Sequence, residues 1–339
     1  MSNPVLVQLT RGHQVESMHR GAVCIVDADG ASVLELGDVQ AAVFPRSAIK
    51  VLQALALVET GAADAIGLTD QELALTCSSH NGEPMHVEAA RGILAKCGLS
   101  PDALACGTHW PLDPDAAHAL AASGEQPGPL HNNCSGKHAG MLALATHMNA
   151  ETSGYDHPDH PVQQKIRETM EEVTDETLTA DVCAVDGCSV PTWAIPLSSI
   201  AGAFATLTAP DSLPEPRAAA VRRLFHACTS EPLMVEGTGR FGTGVMQKFG
   251  AAAFVKGGAE GVYCAAFPEH RLGLAMKTDD GARRGAEATA AFIIAGLFAD
   301  KIAGANEIFE TTLKNWRGLR VGGVQSSAEL TSAISKLTL

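Results

Sequence analysis

Between Phe254 and Leu297 the chain sets out a sheet and its cover. Three apolar runs, Phe254-Val255-Lys256, Val262 to Phe267 and Leu272 to Met276, are punctuated by Gly257, Gly258 and Gly261 and by Pro268-Glu269-His270. Short apolar runs bounded by Gly and Pro read as strands, and the long apolar stretch Ala286 to Leu297 that follows reads as a helix packed on them. Val5 to Leu9, Ala22 to Asp27 and Ser32 to Leu36 add strands near the start of the chain, the last two joined through the hairpin signal Asp29-Gly30. Helices are expected from Ser47 to about Glu59, where Gly61 ends the pattern, and over Met85 to Cys97, Met141 to Met148 and Pro161 to Val173. No repeat of fixed period and no low-complexity linker divides the 339 residues. The expectation is one compact unit over 1–339, with inserted loops around residues 100–135 and 150–180.

Composition narrows the function classes. The net charge of −14 and the absence of any run of more than two adjacent Lys or Arg argue against nucleic-acid binding. The first ten residues lack a basic segment followed by an apolar core, and the apolar stretch Ala288 to Ala299 is too short to span a bilayer. Nine cysteines without a C-x-x-C pair are expected as reduced thiols, and a cytoplasmic location is the matching expectation.

Chemistry concentrates in a few blocks. Ser47 and Lys50 form an S-x-x-K pair that a helix places on one face, where the amine can take the hydroxyl proton. Ser79-His80-Asn81 follows as S-x-N and Lys256-Gly257-Gly258 as K-x-G, the last at a strand end. That set, in that chain order, belongs to serine hydrolases that use lysine in place of a Ser-His-Asp relay. Gly237 to Gly242 matches G-x-G-x-x-G, but no strand precedes it, so dinucleotide binding is not expected. His131 to His138 is densely polar for a segment leading straight into an apolar helix, the kind of loop that carries function.

The blocks Arg46 to Lys50 with Gln53 to Ala56, Cys77 to Glu83, His131 to His138, Val185 to Cys188 and Gly237 to Arg240 resemble the Rhizobium-type L-asparaginases, the asparaginase II family, over about Leu6 to Ile294. The resemblance implies an α-β-α sandwich around an antiparallel sheet, similar to serine β-lactamases and serine-dependent glutaminases. It also implies hydrolysis of L-asparagine to L-aspartate and ammonia, with Ser47 and Lys50 as one Ser-Lys tandem and Ser79 with Lys256 as the other. It implies zinc held by Cys134, Lys137 and Cys188 with Asp186 close by, and a homodimer.

In this reading Ser47 attacks the amide carbon with Lys50 as its base, although the two serines could exchange roles. Arg46, His80, Asn81, His131 and Asn133 are candidate polar contacts to the substrate, and Asp186 is a candidate for its amino group or for orienting Lys137. Each has a plainer reading, Arg46 as a surface ion pair, the Asn residues as turn formers and His131 as a loop cap. Spacing alone says little of Cys134, Lys137 and Cys188, which would otherwise be buried structural side chains. Val51 stands where the family commonly has proline, Gly257 and Gly258 soften the strand end, and Gly242 replaces a more polar residue. Competing readings are a glutamine- or β-lactam-active serine hydrolase on the same scaffold and a non-catalytic zinc- or amino-acid-binding protein. One methylene separates asparagine from glutamine, worth only about 1–3 kcal/mol in a pocket, so sequence does not set selectivity.

Overall fold

The computed structural model describes residues 2–299 and 301–337. The chain falls into two compact units, one made of residues 1–48, 195–208 and 255–339, the other of 49–194 and 209–254.

The first unit is built on a sheet of eight strands: β1 Val5–Arg11, β2 Gln14–Asp27, β3 Ser32–Leu36, β4 Phe254–Gly257, β5 Val262–Phe267, β6 Leu272–Thr278, β7 Thr312–Lys314 and β8 Arg320–Ser326. Their order is β7-β8-β1-β2-β6-β5-β4, with β3 also on β2. The pairs β1 with β2 and β8, β2 with β3 and β6, β5 with β6 and β7 with β8 all run antiparallel. At the centre Leu274 lies opposite Ile25 on one side and Ala265 on the other. β5 is buried at every residue, as a strand covered on both faces must be. The helix Leu197–Thr206 packs on β2 and β6, and the helix Arg283–Leu297 packs against β1, β5 and β6. The expected layering of helices on an antiparallel sheet is therefore present.

The strands depart from their expected limits most at β2 and β8. β2 starts at Gln14, eight residues before Ala22, because its mostly exposed first half is held by pairing with β1. β8 was not expected, since Gly322 and Gly323 depress its strand propensity. The close approach of β1 accounts for Gly322, where a Cβ would lie 1.7 Å from the Thr10 carbonyl oxygen.

The second unit is mainly helical. Its centre is the helix Ser135–His147, buried without a break from Ser135 to Ala145, and against it pack Lys50–Glu59, Asp70–Thr76 and Pro84–Lys96. Thr69 caps the Asp70–Thr76 helix reciprocally with Glu72, its N–H donating to Glu72 Oε2 at 2.8 Å. The region expected as a loop around 100–135 holds a further helix, Pro114–Ala122. Asp113 caps it, accepting from the Ala116 N–H at 2.8 Å, and Pro114 occupies its first turn. A two-stranded hairpin, Cys183–Val185 with Pro191–Trp193, pairs Ala184 with Thr192.

Candidate active site

Arg46 and Ser47 open a short 3-10 turn, Arg46–Ile49, that runs without a break into the helix Lys50–Glu59. Ser47 thus sits one turn ahead of Lys50 and not in the α-helix itself. Arg46 has φ +53°, left-handed for a residue with a side chain. A bulky residue held there marks a backbone fixed by its surroundings, and here it stands next to the candidate nucleophile.

In the same unit Lys256, 1 % exposed, lies in β4 and donates to the Gly257 carbonyl at 2.9 Å. Gly258 brings the strand end against the serine turn: a Cβ there would lie 2.7 Å from the Pro45 carbonyl oxygen and 3.2 Å from the Ala48 nitrogen. The glycine of the K-x-G motif is thus required by this close approach.

The helical unit gathers the other groups. Lys50, also 1 % exposed, donates from Nζ to Ser79 Oγ at 3.0 Å, to Cys134 Sγ at 3.1 Å and to the Ser78 carbonyl oxygen. Lys50 therefore meets the serine assigned to the other tandem and a cysteine assigned to zinc. The Ser79 turn is itself pinned, the Ser79 N–H donating to the Val235 carbonyl at 2.9 Å and the His80 N–H to the Asn133 carbonyl at 3.2 Å.

Hydrogen bonding fixes the tautomer of His80. The Gly82 N–H donates to His80 Nδ1 at 3.0 Å, so the ring proton is on Nε2 and goes to Ser135 Oγ at 2.9 Å, while Ser135 donates to the Leu130 carbonyl at 3.0 Å. His86 repeats the pattern, accepting from the Glu83 N–H at 3.1 Å and donating to the Leu233 carbonyl at 2.9 Å. The two rings stack at 4.7 Å. Burial holds His80 well below the usual imidazole range, with the charges of His86 and Lys50 adding to it, and burial lowers His86 as well.

Asn81 Nδ2 donates to the Thr238 carbonyl at 3.0 Å and to Glu83 Oε1 at 3.3 Å, while its Oδ1 is buried without a hydrogen-bond partner among the described residues. Glu83 also accepts from the N–H and the hydroxyl of Thr238, both at 2.8 Å, so the glycine loop at 237–240 is held by a carboxylate. No strand precedes that loop; the helix Pro232–Val235 does. His131 accepts from the Gly128 N–H at 3.0 Å, the plainer role of a loop cap. Asn133 supplies main-chain groups, accepting from His80 and donating its N–H to His109 Nε2 at 2.9 Å.

Beyond Lys50 the polar groups continue. Lys137 Nζ donates to Cys188 Sγ at 2.9 Å and lies 3.8 Å from Asp186 Oδ2, and Cys188 donates to Asp186 Oδ2 at 3.2 Å. A hydrogen bond from Cys188 and the charges of Lys50 and Lys137 hold the buried Cys134 thiol well below its ordinary range, against the effect of burial. Burial lowers Lys137, but Cys188, Cys134 and Asp186 outweigh it and raise the amine overall. Cys134, Lys137, Cys188 and Asp186 thus form one set of two sulfurs, an amine and a carboxylate; the sulfurs and the carboxylate are donor types that zinc takes, and Lys137 joins them only as the neutral amine. Among the described residues no group of three or more His, Cys, Asp and Glu side chains is arranged to hold a metal, so a metal here depends on Lys137.

Sequence reasoning missed the positioning residues Ser135 and Glu83. Their signal was present, since Ser135 is a polar residue at the mouth of an apolar helix and Glu83 follows the Ser79 turn.

No curated protein matches the chain. Among solved structures it is similar to the native form of Mglu, at 12% identity and a TM-score of 0.45, covering 83% of this chain and 64% of Mglu. It is also similar to a β-lactamase from Mycobacterium bovis, at 13% identity and a TM-score of 0.41, covering 81% of this chain and 94% of that one. Likenesses this distant carry no argument about the chemistry. The family model described as L-asparaginase II matches residues 7–326, through the last strand of the sheet. The chain belongs to the L-asparaginase II family.

Proposed function

We propose that this protein hydrolyses the side-chain amide of L-asparagine to L-aspartate and ammonia through an acyl-enzyme on Ser47. The observation that carries the reading is Lys50, a buried amine whose Nζ lies 3.0 Å from Ser79 Oγ. Buried lysines without a carboxylate partner are costly, and one set against a serine hydroxyl is the arrangement of a Ser-Lys hydrolase.

In the proposed sequence Ser47 Oγ adds to the amide carbon as Lys50, in its neutral form, takes its proton. Ser79 accepts a hydrogen bond from Lys50 and keeps its own O–H as a donor, so it passes a proton to the departing nitrogen when the C–N bond breaks. Water then adds to the acyl carbon, its proton returns through the same groups, and aspartate leaves with Ser47 restored. Lys256 supplies positive charge near the reacting carbonyl and the deacylating water.

For the substrate's charged ends, the unpartnered Asn81 Oδ1 suits the α-amino group and Arg46 suits the α-carboxylate. Asp186 adds a second acceptor for the ammonium. His80, His131 and Asn133 act by shaping the loops that carry these groups. Asparagine is the favoured substrate over glutamine in this reading.

Zinc would be held by Cys134, Lys137 and Cys188, with Asp186 beside them. Bound there, the cation ties residues 134–137 to the turn at 186–188. The protein's homodimeric state and cytoplasmic location are proposals of the family reading. Among the described residues no helix is long and apolar enough to cross a membrane.

The test is to trap the acyl-enzyme with a slow asparagine analogue and find the adduct by peptide mass spectrometry. An adduct on Ser47, formed by wild-type and Ser79→Ala proteins and absent from Ser47→Ala, is expected. An adduct that survives in Ser47→Ala moves the nucleophile to another residue and rejects the assignment.

A further inference from the structure

A cavity lies against the hairpin that carries Asp186 and Cys188 on its turn. It has a volume of about 310 Å³ and is lined by Arg167, Leu178, Cys183, Val185, Pro191 and Trp193 among others. Its wall is mostly apolar, with Asp159, Arg167 and Ser189 as polar members: Trp193 and Leu178 are buried, and Val185 stays 77 % exposed although it is an aliphatic side chain on a strand.

Arg167 supplies the positive charge of this wall. It sits on the helix Pro161–Thr174, whose other face is buried through Val162, Ile166 and Met170. Its Nε is buried with no hydrogen-bond partner, and among the described residues it forms no ion pair. The other charges nearby are committed. Lys165 pairs with Glu168 at 3.7 Å, Glu171 accepts from the Leu178 N–H at 2.9 Å, and Arg217 bridges Glu59 and Glu172. Asp159, also in the lining, is 89 % exposed and lies 3.7 Å from His157. Arg167 and Cys183 line the same cavity, and burial pushes the Cys183 thiol up while a Thr192 main-chain hydrogen bond and the arginine charge draw it back. A buried guanidinium donor left without an acceptor costs free energy that a ligand recovers when it supplies one. Arg presents paired donors that match a carboxylate. Aromatic and aliphatic walls with one convergent charged group make a small-molecule site.

We infer that this cavity binds a small organic carboxylate with an apolar or aromatic body, its acid group on Arg167 and its body against Trp193, Leu178 and Pro191. The turn between the two strands of the hairpin holds Ser189 at φ +81°, a left-handed conformation for a residue with a side chain. A ligand seated on the hairpin therefore bears on the segment next to Cys188. Binding itself does not depend on the amidase reading, and the test reads binding alone.

The probe is 2-naphthoate, with 2-naphthamide as its uncharged counterpart, titrated calorimetrically into the full chain. The expected result is saturable binding of naphthoate with one site per chain, at least tenfold weaker binding of the amide, and at least tenfold weaker naphthoate binding to Arg167→Gln. Arg167→Lys should recover part of the loss. The comparison of acid with amide on wild-type protein keeps the test decisive if Arg167→Gln fails to fold. Equal binding of acid and amide overturns the proposal, as does unchanged affinity in Arg167→Gln. Absence of naphthoate binding also overturns it. So does a silent cavity combined with a changed oligomeric state in Arg167→Gln, which assigns the face to a second copy of the chain.

Discussion

Lys50 Nζ lies 3.0 Å from Ser79 Oγ, with 28 residues of chain between the two. The sequence pairs Lys50 with Ser47 by spacing, whereas the fold joins it to the serine assigned to the second tandem. One amine therefore serves both hydroxyls in the proposed chemistry. Lys50→Met should lower kcat/KM for L-asparagine by about 10³-fold, within the range for loss of a general base. Ser79→Ala should reduce kcat by about 10²-fold while an adduct still forms on Ser47. Steady-state ammonia release and adduct mass spectrometry check both.

Acid should destabilise the protein through its stacked histidines. His80 and His86 are both held below the 6.5 of a free imidazole, burial being the largest cause in each. Unfolding releases them to bind a proton at pH values below 6.5, so the unfolded chain carries more protons there and stability rises with pH. The full stability is present above 6.5 and falls as pH drops through that value, by at most about 1.4 kcal/mol per pH unit for each group. Urea denaturation between pH 7.5 and 5.5 measures the slope, and His86→Gln should flatten it. An unchanged midpoint across that range would contradict the buried neutral pair.

Zinc should copurify stoichiometrically with the chain and be lost in Cys134→Ser and Cys188→Ser. Lys137→Met should weaken it further than a surface change, because no other His, Cys, Asp and Glu cluster is present among the described residues to replace it. Metal analysis by mass spectrometry gives the content, and a melting temperature that falls on chelation gives the linkage. A wild-type protein free of zinc with chelator-insensitive melting rejects the assignment.

Gly258→Ala should cost about 1–3 kcal/mol of stability, the usual penalty of overpacking. The added methyl would stand 2.7 Å from the Pro45 carbonyl oxygen, backbone that cannot swing aside. Because Pro45 to Ala48 carries Ser47, kcat should fall along with the melting temperature. Gly244→Ala serves as the comparison, since a Cβ there would meet no atom within 4 Å.

The sheet was legible where apolar runs meet turn residues. Ser32–Leu36 keeps the limits read from sequence because Gly30 and Gly37 flank it, and Val262–Phe267 because Gly261 and Pro268 do. Elements were misjudged where polar residues are buried or apolar ones exposed. The central helix begins at Ser135 and not at Met141, since Ser135 and Lys137 find hydrogen-bond partners inside the unit and His138 Nδ1 meets the Tyr155 hydroxyl there. The helix Pro114–Ala122 has no buried face at all, so its periodicity carried no signal, and only the cap at Asp113 announced it. In the site, residue types were readable from motifs, but pairings were not. Lys50 with Cys134 spans 84 positions and Lys137 with Cys188 spans 51, distances across which only folding decides the partner.

The central claim is tested most directly by a coupled assay that measures ammonia and aspartate together from L-asparagine, run on wild-type and Ser47→Ala proteins. Equimolar release by the wild type, its loss in Ser47→Ala and slower turnover of L-glutamine are predicted. Saturable asparagine binding without ammonia, or undiminished release by Ser47→Ala, would contradict the account.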